Sequence, residues 1–523
     1  MAASTTVTET IERAAASRKA GRLAEAERLY CEVLQHEPAN TEALHAMALL
    51  RYGSHQYERA VDFAHRAVET KPEVGLLHYT LGATLNALGR YEQAVKAYQT
   101  AIRLQPDLAQ AHYNLGNSLG RLGKYTEAVE RYRRSLDLAP SEAFAWFNMG
   151  VALQRLGRHE EAIDAFKNVL RLGHDPAEAH KAIAASCHAL ARYERTIFHY
   201  RQALTFKPND ADTHSNLGMA MLQTGCYAQG WKEYSWRLRK VAWIESYRDV
   251  PMWDGSQLEG RRLLVRSEQG LGDNIQFVRY LPLAKKRGAK IILATYNPLV
   301  ELMKTAKGCD VVVSENDSIL FDVFCPLMEL PRIVQTTADT IPANVPYLHA
   351  DPSRAARWTD RVSPDQLNVG IVWGSSPLDK RAQARSCRLS DFVRLAENPN
   401  VRLWGLQKGP AAEQVRQLPP TSPIINLGDE FSDFADTAGA IANMDLVISV
   451  DTSVLHLAGA LGKPVWALTL FSPDWRWMSA GTTNPWYPTM RMFRQSNAGC
   501  WRDVFEKVDQ ALGQLASQQR NRQ

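Results

Sequence analysis

The stretch YEQAVKAYQTAIRLQPDLAQAHYNLGNSLGRLGKY, residues 91–125, decides the fold of the first half of the chain. Ala94 and Tyr98 stand one helical turn apart, Pro106 breaks the pattern, and Gly116 follows on a second helical run. Proline cannot continue a helix, so the stretch reads as helix, break, helix. Moving outward, the same residue types return at a fixed interval. Prolines stand at 38, 72, 106 and 140, each 34 residues after the last; Pro176 comes 36 later and Pro208 a further 32, which restores the phase. Eight residues ahead of these prolines are Tyr30, Ala64, Tyr98, Tyr132 and, before Pro208, Tyr200. Twelve ahead are Ala26, Ala60, Ala94 and Ala128, and Gly82, Gly116, Gly150 and Gly218 recur on the first helix of their units. Two antiparallel helices need small residues where they cross and large ones filling the gap beside the crossing.

A period of 34 residues is that of tetratricopeptide repeats (TPRs). Seven are read over residues 7–240. Ala14 and Ala48 replace the glycine in the first two, the array is degenerate around Ala184, and GWKEYSWRLR from Gly230 reads as a capping helix. Terminal repeats are atypical because one face has no neighbour. Such an array presents a concave surface to a polypeptide partner, self-association included; the plainer alternative is a rigid spacer. Tyr79, Tyr113, Asn114, Asn148 and Asn216 fall on first helices. An asparagine ladder there would bond an extended peptide, since an amide side chain both donates and accepts; polar surface is the competing reading.

After about residue 245 short β-branched runs alternate with helical stretches, the mark of parallel α/β packing. Strands are expected in 261–268, 289–295, 310–314 and 321–326, then, after a Pro-rich crossing over 340–352, in 368–375, 401–408, 424–428, 445–452 and 464–470. Helices are expected over 274–287, near 297–306, and at 389–397, 410–417, 433–444, 453–461 and 501–516. The domain reading is a linker at 241–260, one Rossmann-like half at 261–350 and a second at 366–516. Ligands of such sheets sit beyond the carboxyl ends of the strands.

Three strand-end loops carry candidate chemistry. In EQGLGDNIQF (268–277), Gly270 and Gly272 let the backbone turn into a helix opened by Asp273. Asp273 is either a helix cap or a general base facing a cleft. In SVDTSVLHLAGALGKPVWAL (449–468), a buried strand ends at Asp451, and Thr452 and Ser453 start a helix whose amides would hold a diphosphate. His456, one turn on, is a ligand or a structural histidine. In WGSSPLDKRAQARS (373–386), Lys380, Arg381 and Arg385 form either a solvated face or a cationic site for a leaving diphosphate. Gln407 and Lys408, at the next strand end, are candidates for the same task. Trp475, Arg476 and Trp477 would stack on a substrate ring or fill the core.

The segments P-x-W-D-G (251–255), GLGDNIQF, DTSVLHLAGALGKPV (451–465), LQKGP (406–410) and SPDWRWM…PWYP (472–488) resemble the heptosyltransferase-like branch of GT-B glycosyltransferases, family nine, in its TPR-fused bacterial form. The resemblance covers about residues 250–515. It implies a fold of α plus α/β class: an N-terminal TPR solenoid, then a GT-B-type pair of Rossmann-like domains. It implies that Asp273 is the base and that Asp451, Thr452, Ser453 and His456, with Lys380 or Arg385, bind the nucleotide sugar. Lys408 is placed with this donor set, and Gly270, Gly272, Asn274 and Gln276 with the acceptor side of the cleft. The first half spans only about 85 residues, so the repeats are expected to complete the acceptor side.

The expected reaction is inverting transfer from a nucleoside-diphosphate sugar to an acceptor hydroxyl. No metal and no further cofactor is expected; the one D-x-D, Asp210 to Asp212, reads as a helix start between repeats. The acceptor is a protein held by the repeats or, second, a lipopolysaccharide or exopolysaccharide. A catalytically silent TPR adaptor is the alternative from another class. A formal charge of +5 over 523 residues does not call for nucleic acid. Seven scattered cysteines without a C-x-x-C motif suit a reducing compartment and offer no zinc framework. With neither a signal-like N-terminus nor a run of eighteen apolar residues, a cytoplasmic protein without a transmembrane segment is expected.

Overall fold

The computed structural model describes residues 2–375, 382–419 and 422–520. Up to Tyr234 it is helical: α1 (Ala2–Lys19), α2 (Leu23–His36), α3 (Thr41–Gly53), α4 (Tyr57–Thr70), α5 (Gly75–Ala87), α6 (Tyr91–Leu104), α7 (Ala109–Arg121), α8 (Tyr125–Leu138), α9 (Ala143–Arg155), α10 (His159–Arg171), α11 (Pro176–Ala189), α12 (Tyr193–Phe206), α13 (Ala211–Gln223) and α14 (Tyr227–Tyr234). These helices form a TPR solenoid followed by a parallel-sheet α/β region. Pro176 differs from the other repeat prolines. It occupies the first turn of α11 behind the cap Asp175, whose carboxylate accepts from the Glu178 amide at 3.2 Å, hence the 36- and 32-residue spacings.

The repeat glycines are read directly from the packing. A Cβ on Gly82 would lie 2.7 Å from the Tyr98 ring, on Gly116 2.7 Å from Tyr132, and on Gly150 2.6 Å from Phe166. Each first helix thus accepts an aromatic ring from its second helix. The asparagines serve the stack itself. Asn114 donates to the Tyr79 hydroxyl at 3.1 Å, and Asn148 donates to the Tyr113 hydroxyl at 3.1 Å and to Asn117 at 2.9 Å. Their amide N–H groups link one repeat to the next, and both side chains stay partly exposed.

The chain divides into two compact units, residues 1–190 with 205–208, and residues 191–204 with 209–523. The second unit therefore contains α13 and α14 together with both sheets. The first sheet holds β1 (Arg262–Arg266), β2 (Lys290–Thr295), β3 (Val311–Ser314) and β4 (Val323–Pro326), all parallel, in the order β3-β2-β1-β4. The second holds β5 (Leu367–Val372), β6 (Val401–Gly405), β7 (Ile425–Asn426), β8 (Leu446–Val450), β9 (Val465–Thr469) and β10 (Met490–Arg494), also parallel, in the order β10-β9-β8-β5-β6-β7. The expected helix at 274–287 is three short pieces over 271–285, with Pro282 opening the last. The Pro-rich crossing gains a helix, Pro352–Thr359, and β10 is a strand that sequence reading left out.

Within this unit the last helical pair is part of the α/β core. Leu222, Tyr227, Trp231 and Tyr234 share one buried cluster with Trp253, Phe277, Trp475 and Trp486. The Trp231 ring meets Trp475 edge-on at 5.4 Å and Phe277 at 6.2 Å. Residues 241–260, expected as a linker, lie on the first sheet. Trp253 is buried and its amide donates to the Phe324 carbonyl at 2.8 Å, while Trp243 and Tyr247 pack on Leu264, Ile292 and Phe324. Apolar residues on the outer face of that sheet need a cover, and this segment supplies one.

Candidate active site

In the second unit a cavity of about 830 Å³ opens at the carboxyl ends of β1, β5, β6, β8 and β9. Strand order reverses between β1 and β4 in one sheet and between β5 and β8 in the other, and such switch points leave crevices. Asp273, Arg385, Lys408, Asp451, Thr452, Ser453 and His456 all line it, with Gly270 and Gly272. Lys380 lies outside the described residues.

Two of the three loops singled out by sequence come together. The helix Leu271–Phe277 packs on the helix Ser453–Ala460. A Cβ on Gly272 would lie 2.8 Å from Cδ2 of His456, so glycine is required for this approach. His456 is buried, stacked on Trp477 at 5.2 Å, with Nδ1 2.9 Å from the Tyr487 hydroxyl. Burial, reinforced by the nearby Arg476 and Arg279 charges, pushes its pKa well down, so the ring is neutral. Thr452 does not cap the helix that it precedes. Its hydroxyl is 3.1 Å from Ser449, and no side chain caps that helix, whose first amides face the cavity end.

Asp273 is held at both oxygens. Oδ2 accepts the Gly270 amide at 2.8 Å, and Oδ1 is paired with Nη2 of Arg476. Sequence reasoning offers Arg476 as a ring stacker or core filler and misses the use of its charge. It is 6% exposed, and beyond Asp273 it donates to Asp474 and to Gln276, each at 2.8 Å, with its guanidinium 4.3 Å from the Trp475 ring. The carboxylates around it hold its pKa above the ordinary arginine value. Its flanking tryptophans are core, as W-R-W on one short turn allows. The only advance signal was an arginine between two tryptophans. Asp451 lies 3.4 Å from Arg385; burial and the neighbouring Asp474 push its carboxyl pKa up, against the pull of Arg385. Acid and base thus alternate around the cavity wall.

Two expected cleft residues turn away from the cavity. Asn274 is fully buried and donates to the Glu268 and Gly270 carbonyls at 3.2 and 2.8 Å. Gln276, also buried, accepts from Arg476. From Asn274 onward this segment is buried on every side, so both brace the loop instead of lining the cleft. Lys408 donates to the Phe431 carbonyl, and Gln407 accepts the Trp373 and Gly374 amides at 3.2 and 2.8 Å, shaping the wall of the cavity. Asp210 caps α13, accepting from Asp212 and Thr213 amides at 3.1 and 3.4 Å, and Asp212 pairs with Lys240.

The sequence profile of glycosyltransferase family 9 (heptosyltransferase) matches residues 346–509, which include the Asp451–His456 helix start and Arg476. Tetratricopeptide-repeat profiles match residues 82–123, 113–175 and 147–211. The chain carries TPRs and a C-terminal glycosyltransferase family 9 domain. Protein FlbA of Caulobacter vibrioides is 26% identical to it over 329 residues, 57% of this chain and 54% of FlbA, so the chain spans about half the length of this relative. Among solved structures, MamA is 26% identical over 31% of this chain and 94% of its own, with a TM-score of 0.30. YrrB, described as a TPR protein with an unusual peptide-binding site, is 23% identical over 31% of this chain and 84% of its own, with a TM-score of 0.29. Among the described residues no helix is long and apolar enough to cross a membrane.

Proposed function

We propose that the family 9 domain, with a GT-B arrangement of its two sheets, moves a sugar from a nucleoside-diphosphate sugar to an acceptor hydroxyl with inversion and without a metal. The observation that carries this reading is the shared cavity. Asp273 and the Thr452–Ser453 helix start, taken from separate sheets, line one space and are bridged by packed helices. In this reading the helix start and Arg385 take the diphosphate, their positive ends offsetting the charge that builds on the leaving group. Asp273 accepts the proton of the attacking hydroxyl, and Arg476 fixes the orientation of the carboxylate. A single displacement with base and leaving group on opposite sides of the sugar inverts the anomeric centre. The repeats recruit the acceptor, for which a protein fits a TPR surface best.

Incubating the purified chain with a panel of nucleoside-diphosphate sugars, with EDTA present, tests the proposal. Turnover of one donor is expected, with Asp273→Asn lowering it about 10²- to 10⁴-fold while donor binding holds. A donor that binds without turnover would support the adaptor reading, which draws on the double engagement of the Asp273 carboxylate. Turnover that persists in Asp273→Asn would remove the base assignment.

A further inference from the structure

The loop that presents Asp273 is held from outside the two sheets. Gln269 adopts a positive φ of 61°, a conformation that costs a residue with a Cβ and persists only where neighbours enforce it. The enforcing groups are visible. The Tyr234 hydroxyl donates to Oε1 of Gln269 at 3.1 Å and accepts from its Nε2 at 2.8 Å, and the Tyr296 hydroxyl donates to the Gln269 carbonyl at 3.0 Å. One residue earlier, Glu268 receives Arg237 in a two-pronged pair at 2.7 and 3.1 Å and the Met328 amide at 3.0 Å. The same guanidinium donates to Glu329 at 2.8 Å, itself bonded by Ser235 at 2.9 Å and Arg332 at 2.6 Å. Arg237, Glu268 and Glu329 are all buried. Tyr234, Ser235 and Arg237 belong to the end of the seventh repeat, the GWKEYSWRLR segment.

We infer that the seventh repeat is a working part of the active site, with Tyr234 and Arg237 as positioning residues that hold the Gln269–Asp273 loop in its strained, cavity-facing form. The inference rests on the transferase reading only for what the held loop does. Two fixed points, one on each of two consecutive residues, leave the backbone at Gly270 a single course into the helix that carries Asp273. A buried ion pair with one arginine and two glutamates is a costly way to gain stability, and its bidentate geometry fixes orientation.

The test uses the full chain and four variants. Tyr234→Phe keeps the ring among Trp231 and Trp475 and removes the hydroxyl. Gln269→Gly suits the positive φ and removes the clamped amide. Arg237→Lys keeps charge and loses the fork. With the donor found for the wild type, kcat is expected to fall about 10- to 100-fold in Gln269→Gly and less in Tyr234→Phe. Donor Kd should hold, because its proposed contacts lie on residues 385 and 451–453. Amide hydrogen exchange at residues 270–273 should quicken in both variants while cooperative unfolding is kept. Arg237→Lys should show the same exchange signature, partly reversed relative to Arg237→Met. Unchanged exchange at 270–273 in Tyr234→Phe and Gln269→Gly would overturn the inference. That readout needs no turnover, so a wild type without activity would refute the transferase reading and still leave this result to be decided.

Discussion

The imidazole of His456 is packed between the Trp477 ring and the Gly272 backbone, with Nδ1 on the Tyr487 hydroxyl, and its burial together with the nearby Arg476 and Arg279 charges favours the uncharged ring. Its folded pKa lies well below the ordinary 6.5, the value expected once the chain unfolds. Below that pH the unfolded chain binds a proton that the folded chain refuses, so stability is complete above about 6.5 and drains away as pH falls toward the depressed value. Thermal unfolding of the second unit followed from pH 8 to pH 5 should show this loss in the wild type and a shallower one in His456→Gln. Equal slopes would mean that the ring titrates normally. At this scale the sequence was legible where local spacing sets the outcome. Asp273, Thr452 and His456 each follow a strand and open or line a helix, and they meet in one cavity. Arg476 was opaque because its role depends on Asp273, two hundred residues away, and no spacing connects the two.

Elements show the same division. The 34-residue period exposes the repeat helices because each repeat meets its neighbour through the same positions, and a glycine faces an aromatic ring in three successive units. In the last pair the aromatic is replaced by main chain. A Cβ on Gly218 would lie 2.4 Å from the Tyr234 amide nitrogen and 2.8 Å from the Gly230 carbonyl. A ring can swing aside and a helix backbone cannot. Gly218→Ala should therefore cost about 1–3 kcal/mol, the usual range for overpacking, and more than Gly82→Ala. Denaturant unfolding of both variants decides it, and a larger loss at Gly82 would contradict the backbone contact. The strand β10 escaped notice because MRMFR alternates arginine with apolar residues, which suits an edge position but lacks the continuous apolar run of its neighbours.

The molecule as a whole comprises two compact units, and the chain passes into the second after Leu190, ahead of α12, with only residues 205–208 returning to the first. A repeat period reports only contacts between successive units, so it runs past this border without a mark; what sets the border is the long-range packing of Trp231 and Tyr234 on Phe277, Trp475 and Trp486. Calorimetry should resolve two transitions, and a nucleoside-diphosphate sugar at a hundredfold excess over its Kd should stabilise the one belonging to the second unit by about 2.7 kcal/mol. A shift shared by both would show that the units unfold together.

The mixed core around Trp231 also sets where such a chain can be cut and rejoined. An array transplanted onto this family 9 domain at residue 240, the apparent end of the repeats, would strip Leu222, Tyr227, Trp231 and Tyr234 from the core they share with Trp253 and Phe277. A chimera that alters what the array recruits has to keep its junction upstream of α13, and natural recombination between such chains faces the same seam.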